Sequence, residues 1–202
     1  MLGENREKFK KLEVFLGRVF SKIPFSPNQY TFLAFIFSII YFLFLIKKNF
    51  IFALIFFFLS SVLDLIDGAV ARFKKEETKK GAFLDTIFDR YVEGIFLFGF
   101  LFLPLKNFIF EAKIWVFLAI FGSLMTTYAK AAAKEKNLVE KELKKGILGR
   151  GERLILIFFA IFLGIFNQDL IIYPLVILAI FSNLTAIQRI YLALKSETAF
   201  SK

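Results

Sequence analysis

The chain contains no cysteine and no histidine. Without thiols there are no disulfides and no thiolate nucleophile. Without imidazole there is no histidine base, and losing both removes the usual zinc ligand sets. Any chemistry must come from carboxylates, lysine, arginine, hydroxyls and the backbone. Strand-like alternation bounded by turn signals does not recur, which argues against a β-barrel. Nor is there a basic, aromatic-interleaved soluble module of the kind that holds a nucleic-acid strand. The first twenty residues, MLGENREKFKKLEVFLGRVF, lack the uninterrupted apolar core of a signal peptide.

What is present is mostly apolar. Of 202 residues, 58% are hydrophobic and 31 are phenylalanine, too greasy for a soluble domain of this size. Six apolar runs, at about 30–46, 50–73, 83–104, 114–133, 148–166 and 170–192, approach the length that crosses a bilayer as a helix. The expected fold is an all-α integral membrane bundle: one domain over 1–202, with a six-helix transmembrane core over 30–192. Residues 3–22 are expected to form an amphipathic juxtamembrane helix, with Phe9, Leu12, Phe15, Leu16, Val19 and Phe20 close to one face and Lys8, Lys11, Arg18 and Lys22 among the polar positions. A solvated basic leader is the plainer alternative. If both termini are cytoplasmic, only Lys47, Lys48, Lys106 and Lys113 fall outside, and the other 23 of 27 basic residues lie at the inner face. The net charge of +10 then reflects topology and attraction to anionic lipid. That places the protein in the cell membrane as a multi-pass chain.

Against this background four carboxylates stand out. Asp64 and Asp67 are three apart near the inner end of the second run; Asp85 and Asp89 are four apart near the start of the third. Each spacing puts its pair on one helical face. The short charged link KKEETKK makes the two helices an antiparallel hairpin, so the four acids converge near headgroup depth. Clustered like charges need a counterbalance. Arg72 and Arg90 are candidates, and so is a metal. An all-oxygen set suits Mg²⁺ or Mn²⁺, and two such ions about 4 Å apart can clamp a transferring phosphoryl group. Helix-end ion pairs and an ion-translocation site are the competing explanations. Ion pairs do not account for Gly68 directly after Asp67, or for Gly81 one turn before Asp85, where a missing side chain lets a ligand approach. Transport is disfavoured because the acids gather at one interface and no internal repeat is visible.

The pattern Asp64-x-x-Asp67-Gly68-x-x-Ala71-Arg72, then eight residues, then Gly81-x-x-x-Asp85-x-x-x-Asp89 resembles the signature of the CDP-alcohol phosphotransferases, membrane enzymes of phospholipid synthesis. The resemblance implies transfer of a lipid phosphate from a CDP-linked lipid (CDP-archaeol or CDP-diacylglycerol) to an alcohol, with release of CMP. It implies two Mg²⁺ or Mn²⁺ ions held by Asp64, Asp67, Asp85 and Asp89, with Asp89 also the general base. Gly68, Gly81, Arg72 and Thr78 would lie against the CDP group. The stretch PNQYT is similar to the family's start and would place Asn28 and Thr31 near the nucleotide. An ordinary helix start capped by Asn28 remains the alternative. Relatives of this kind are typically homodimers.

A second basic set comprises Lys130, Arg150, Arg153 and Arg189, all expected at the cytoplasmic side. A phosphorylated acceptor would use such cations, whereas lipid snorkelling and inside-positive bias explain basic residues without a ligand. The stretches SLMTTYAKA and GILGRGERLI are similar to those of the inositol-phosphate branch of the family, the archaetidylinositol and phosphatidylinositol phosphate synthases. Lys130 stands where arginine is common there. The implied acceptor is inositol 1-phosphate; glycerol 3-phosphate, serine and CDP-inositol are the alternatives within the family. The link AAAKEKNLVEKELKKG is expected to be a solvated helix, with ordering over the substrate as the alternative.

Overall fold

The computed structural model describes residues 6–139 and 146–200, with side chains over 13–139 and 146–196. All regular elements among the described residues are helical. They fall into two compact units, the first ending at Phe96 and the second starting at Leu97.

The first unit contains α1 (Arg6–Phe20), α2 (Pro27–Ile46), α3 (Phe50–Lys74) and most of α4 (Lys79–Phe98). Pro27, whose ring presets helical φ, opens α2. Ser26 is its cap, and the Gln29 side chain accepts the Ser26 N–H at 2.7 Å. The cap is therefore one residue before Pro27, and Asn28 is left within the first turn. Asn49 accepts the Phe52 N–H to start α3, and α3 stops where Lys75 takes a left-handed φ of 56°. Thr78 starts α4, its hydroxyl accepting the Gly81 N–H at 2.9 Å.

Small and hydroxylated residues let α2 and α3 approach: Ser60 donates to Ala34 O at 2.7 Å. Deeper in the unit, Tyr41, Phe57 and Phe96 form an aromatic knot, and the Tyr41 hydroxyl donates to Phe96 O. Outward-facing Phe32, Leu43, Ile51 and Phe58 are exposed. In water that surface would be an aggregation face; lipid is its natural solvent.

The amphipathic face expected of α1 is divided. Leu16 and Phe20 pack onto the buried cluster of Tyr30, Ile66 and Val70, while Phe15 and Val19 stay exposed. The side chains of Phe9 and Leu12, like residues 3–5, lie outside the described residues.

The second unit contains a 3-10 turn (Gly99–Phe102), α5 (Ala112–Glu135), α6 (Arg150–Phe166), another 3-10 turn (Gln168–Ile171) and α7 (Ile172–Phe200). Gly122 permits α5 and α7 to touch: a Cβ there would come within 2.4 Å of Ser182 Oγ and 2.6 Å of Asn183 Nδ2. Asn183 Nδ2 also donates across to Leu118 O at 2.9 Å.

Helices occupy all six expected positions. Four of them, Pro27–Ile46, Phe50–Lys74, Ala112–Glu135 and Gln168–Ser196, are long and apolar enough to cross a membrane. The other two fall short for visible reasons. α4 carries Asp85, Asp89, Arg90 and Glu93, and α6 has 17 residues. The link after α5 also differs from expectation. It is not a continuous helix: α5 stops at Glu135, Asn137 takes φ 57°, and Leu138 and Val139 fold back onto Ala133 and Ala193. Burying Val139 rewards ending the helix. Residues 140–145 of this link lie outside the described residues.

Candidate active site

The carboxylates come from two helices of the first unit, Asp64 and Asp67 from α3 and Asp85 and Asp89 from α4. Asp64, Asp85 and Asp89 each offer an oxygen within 4.8 Å of the others, and all three are half-buried. Three hard oxygens gathered this closely fit a Mg²⁺ or Mn²⁺ ion. Asp67 is set apart. It is only 4% exposed, and its Oδ2 accepts the Thr31 hydroxyl at 2.6 Å. The three-residue spacing puts Asp64 and Asp67 on the same side of α3, but Thr31 on α2 holds Asp67.

Arg90 neutralises part of the cluster. Its Nη2 lies 3.5 Å from Asp89 Oδ2, and its Nη1 donates to Glu93 Oε2 at 2.9 Å. Glu93 is buried one turn along α4 from Asp89, and sequence reasoning passed over it. Its signal was available: a carboxylate at i+3 from an arginine in an otherwise apolar stretch. Arg72, the other expected counter-charge, is paired through Nε with Glu13 of α1.

A cavity of about 240 Å³ opens beside the acids. All six residues expected to contact a CDP group line it: Asn28, Thr31, Gly68, Arg72, Thr78 and Gly81. Asp67 and Asp85 form part of its wall, and so do Glu76 and Glu77, which were not anticipated. Both glycines leave room at its wall. A Cβ on Gly81 would sit 3.0 Å from Thr78 Oγ1 and 3.4 Å from Asn28 Oδ1, filling the gap between them. A Cβ on Gly68 would press on the Arg72 guanidinium, 3.1 Å from Nη2. The pocket is thus a polar cavity built against carboxylates on greasy helices, suited to a phosphate-bearing headgroup with its tails in lipid.

The basic set belongs to the second unit. Arg153 is 2% exposed in the first turn of α6, Arg189 is buried on α7, and Arg150 and Lys130 are half-buried. Arg189 Nη1 donates to Thr126 O of α5 at 2.7 Å. Thr185, one turn before Arg189, accepts the Leu148 N–H at 2.9 Å and so ties the 146–149 loop to α7. A Cβ on Gly146 would lie 3.5 Å from the Arg189 guanidinium. This loop lies beside Arg189 and leads directly into Arg150 and Arg153 at the start of α6.

Comparison with known proteins gives the family and the fold. Residues 25–191 match the family model described as CDP-alcohol phosphatidyltransferase. The archaetidylinositol phosphate synthase of Pyrococcus horikoshii is 34% identical over 197 residues, spanning 96% of this chain and 97% of that protein. Two crystal structures of Mycobacterium tuberculosis phosphatidylinositol phosphate synthase share the fold at 22% identity. The one with CDP-DAG bound has a TM-score of 0.76, covering 91% of this chain and 94% of that one. The one with manganese and citrate has a TM-score of 0.78, covering 90% and 88%. The aspartate cluster, the pocket beside it and the match over most of the chain together establish that this protein belongs to the CDP-alcohol phosphatidyltransferase family and is a membrane-helical transferase of phospholipid synthesis.

Proposed function

We propose that the protein transfers a lipid phosphate from a CDP-linked lipid to a hydroxyl of inositol 1-phosphate, releasing CMP. The observation that carries the acceptor reading is the pair of buried arginines, Arg153 and Arg189, in a chain 34% identical to an archaetidylinositol phosphate synthase over nearly its whole length. Neutral acceptors need no such cations; a phosphomonoester does.

The donor binds the first unit. Asn28, Thr31, Gly68, Arg72, Thr78 and Gly81 take the CDP group, its lipid tails remaining in the bilayer. Asp64, Asp85 and Asp89, joined by Asp67, are the ligands of two divalent ions. Divalent ions held there would supply charge to polarise the diphosphate and stabilise the departing CMP. Asp89 accepts the proton of the attacking inositol hydroxyl; Arg90, 3.5 Å away, holds that carboxylate in place. The hydroxyl oxygen forms the new P–O bond, and the bond from the lipid-bearing phosphorus to the CMP oxygen breaks. Lys130, Arg150, Arg153 and Arg189 hold the acceptor's phosphate.

In the membrane, all six long helices span, including α4 and the short α6, with both termini and the site at the cytoplasmic face of the cell membrane. The residues over 1–202 act as one domain, and the working form is a homodimer.

The test is CMP release by the purified protein with Mg²⁺ or Mn²⁺ and a CDP-lipid, comparing inositol 1-phosphate, inositol and glycerol 3-phosphate. Release with inositol 1-phosphate alone supports the whole reading. Release with a different alcohol leaves the aspartate site standing and discards the acceptor assignment.

A further inference from the structure

The residues matching the family model begin at 25, after α1 has ended, yet α1 touches Arg72, a residue of the pocket wall. Gly17 seats it: a Cβ there would lie 2.7 Å from Ala69 O and 2.8 Å from Phe73 Cβ, so α1 meets the backbone of α3 with nothing between. The Tyr30 hydroxyl donates to Phe20 O at 3.0 Å, and Leu16 and Phe20 pack beside Ile66 and Val70. These contacts set the register of α1 on the helix that carries Asp64, Asp67 and Gly68. One turn before Gly17, Glu13 Oε1 pairs with Nε of Arg72. The other end of the same guanidinium lies over Gly68, with Nη2 and Nη1 at 3.1 and 3.4 Å from the position a Cβ would take.

We propose that Glu13 is a positioning residue for the donor pocket: from α1 it holds Arg72 by Nε, so that the two terminal nitrogens stay over Gly68 for the diphosphate of a nucleoside diphosphate lipid. The inference rests on reading this pocket as the donor site. Its physical basis is the division of labour on one guanidinium. The Nε edge is taken by a carboxylate behind the pocket, while the fork that suits paired phosphate oxygens stays inside it. An arginine already held in place loses less side-chain freedom when the ligand arrives. Gly68 is bare so that the fork can lie against the backbone.

The experiment is calorimetric titration of CDP, with Mg²⁺ present, into the full chain in detergent micelles. Glu13→Gln, which removes the charge and keeps the shape, is expected to weaken CDP binding about fivefold, the scale of a partly exposed ion pair. The thermal midpoint stays unchanged. In steady-state turnover the CDP-lipid KM rises by the same factor while kcat and the acceptor KM hold. Phe15→Ala, on the exposed side of α1, leaves CDP binding as it was. Equal or tighter CDP binding by Glu13→Gln overturns the positioning role and leaves the donor pocket intact. A matching rise in acceptor KM, or equal weakening by Phe15→Ala, overturns it too. Failure of the unmodified chain to bind CDP removes the donor-site reading and this inference together.

Discussion

Replacing Thr31 with valine keeps the shape of the side chain and removes one hydroxyl. That hydroxyl donates to Asp67 Oδ2 at 2.6 Å in a place where Asp67 is 4% exposed, so water cannot take its role. A hydrogen bond to a charged group contributes about 1.5–3 kcal/mol, and a buried acceptor left unpaired incurs its desolvation penalty. The expected loss of stability for Thr31→Val is therefore about 1.5–3 kcal/mol, read as the unfolding midpoint in detergent. Mn²⁺ affinity, by titration calorimetry without substrate, should fall roughly tenfold or more, because a loosened Asp67 is a poorer ligand. Thr31→Ser, which keeps the donor, should retain most of both. In an Asp67→Asn background the valine substitution should cost much less, since the charged acceptor is already gone. Additive effects of the two substitutions, or a Thr31→Val protein with unaltered midpoint and Mn²⁺ affinity, would refute the claim that Thr31 holds Asp67.

Further outcomes are expected. Asp89→Asn should lower kcat by about 10²–10⁴ while CDP-lipid binding persists; near-normal turnover would remove Asp89 as the base. Arg153→Ala and Arg189→Ala should each raise the KM for inositol 1-phosphate about tenfold or more, the loss of a charge-assisted contact, and leave the donor KM alone. Equal effects on both substrates would mean that the acceptor pocket is misplaced. Gly17→Ala should destabilise by about 1–3 kcal/mol through overpacking against Ala69 and Phe73; thermal unfolding at wild-type temperature would show that α1 is not seated as described.

Composition and spacing alone were enough for the all-helical, lipid-facing character of the chain, because apolar length and helical period are local properties. The same holds for the motif: spacings of three and four put the acid pairs on common faces, and the glycines beside them signalled a close approach. The six residues that the motif and PNQYT single out line one cavity, because each lies near a helix end that meets it.

Period says which face a residue is on, but it does not say what stands opposite. Only packing of α2 on α3 brought Thr31 to Asp67, 36 positions away. Only the seating of α1 through Gly17 gave Arg72 the partner Glu13 rather than the aspartates. The start of α2, by contrast, is local: Ser26 rather than Asn28 is the cap because Gln29, three residues on, reaches back to it. Val139 ended a helix that its local sequence would have continued, because burial beside Ala133 and Ala193 was worth more. Local interactions favour a helix and a face. Which carboxylate, cation or carbonyl completes the site is decided by contacts between segments distant in sequence, and these exist only once the helices have packed.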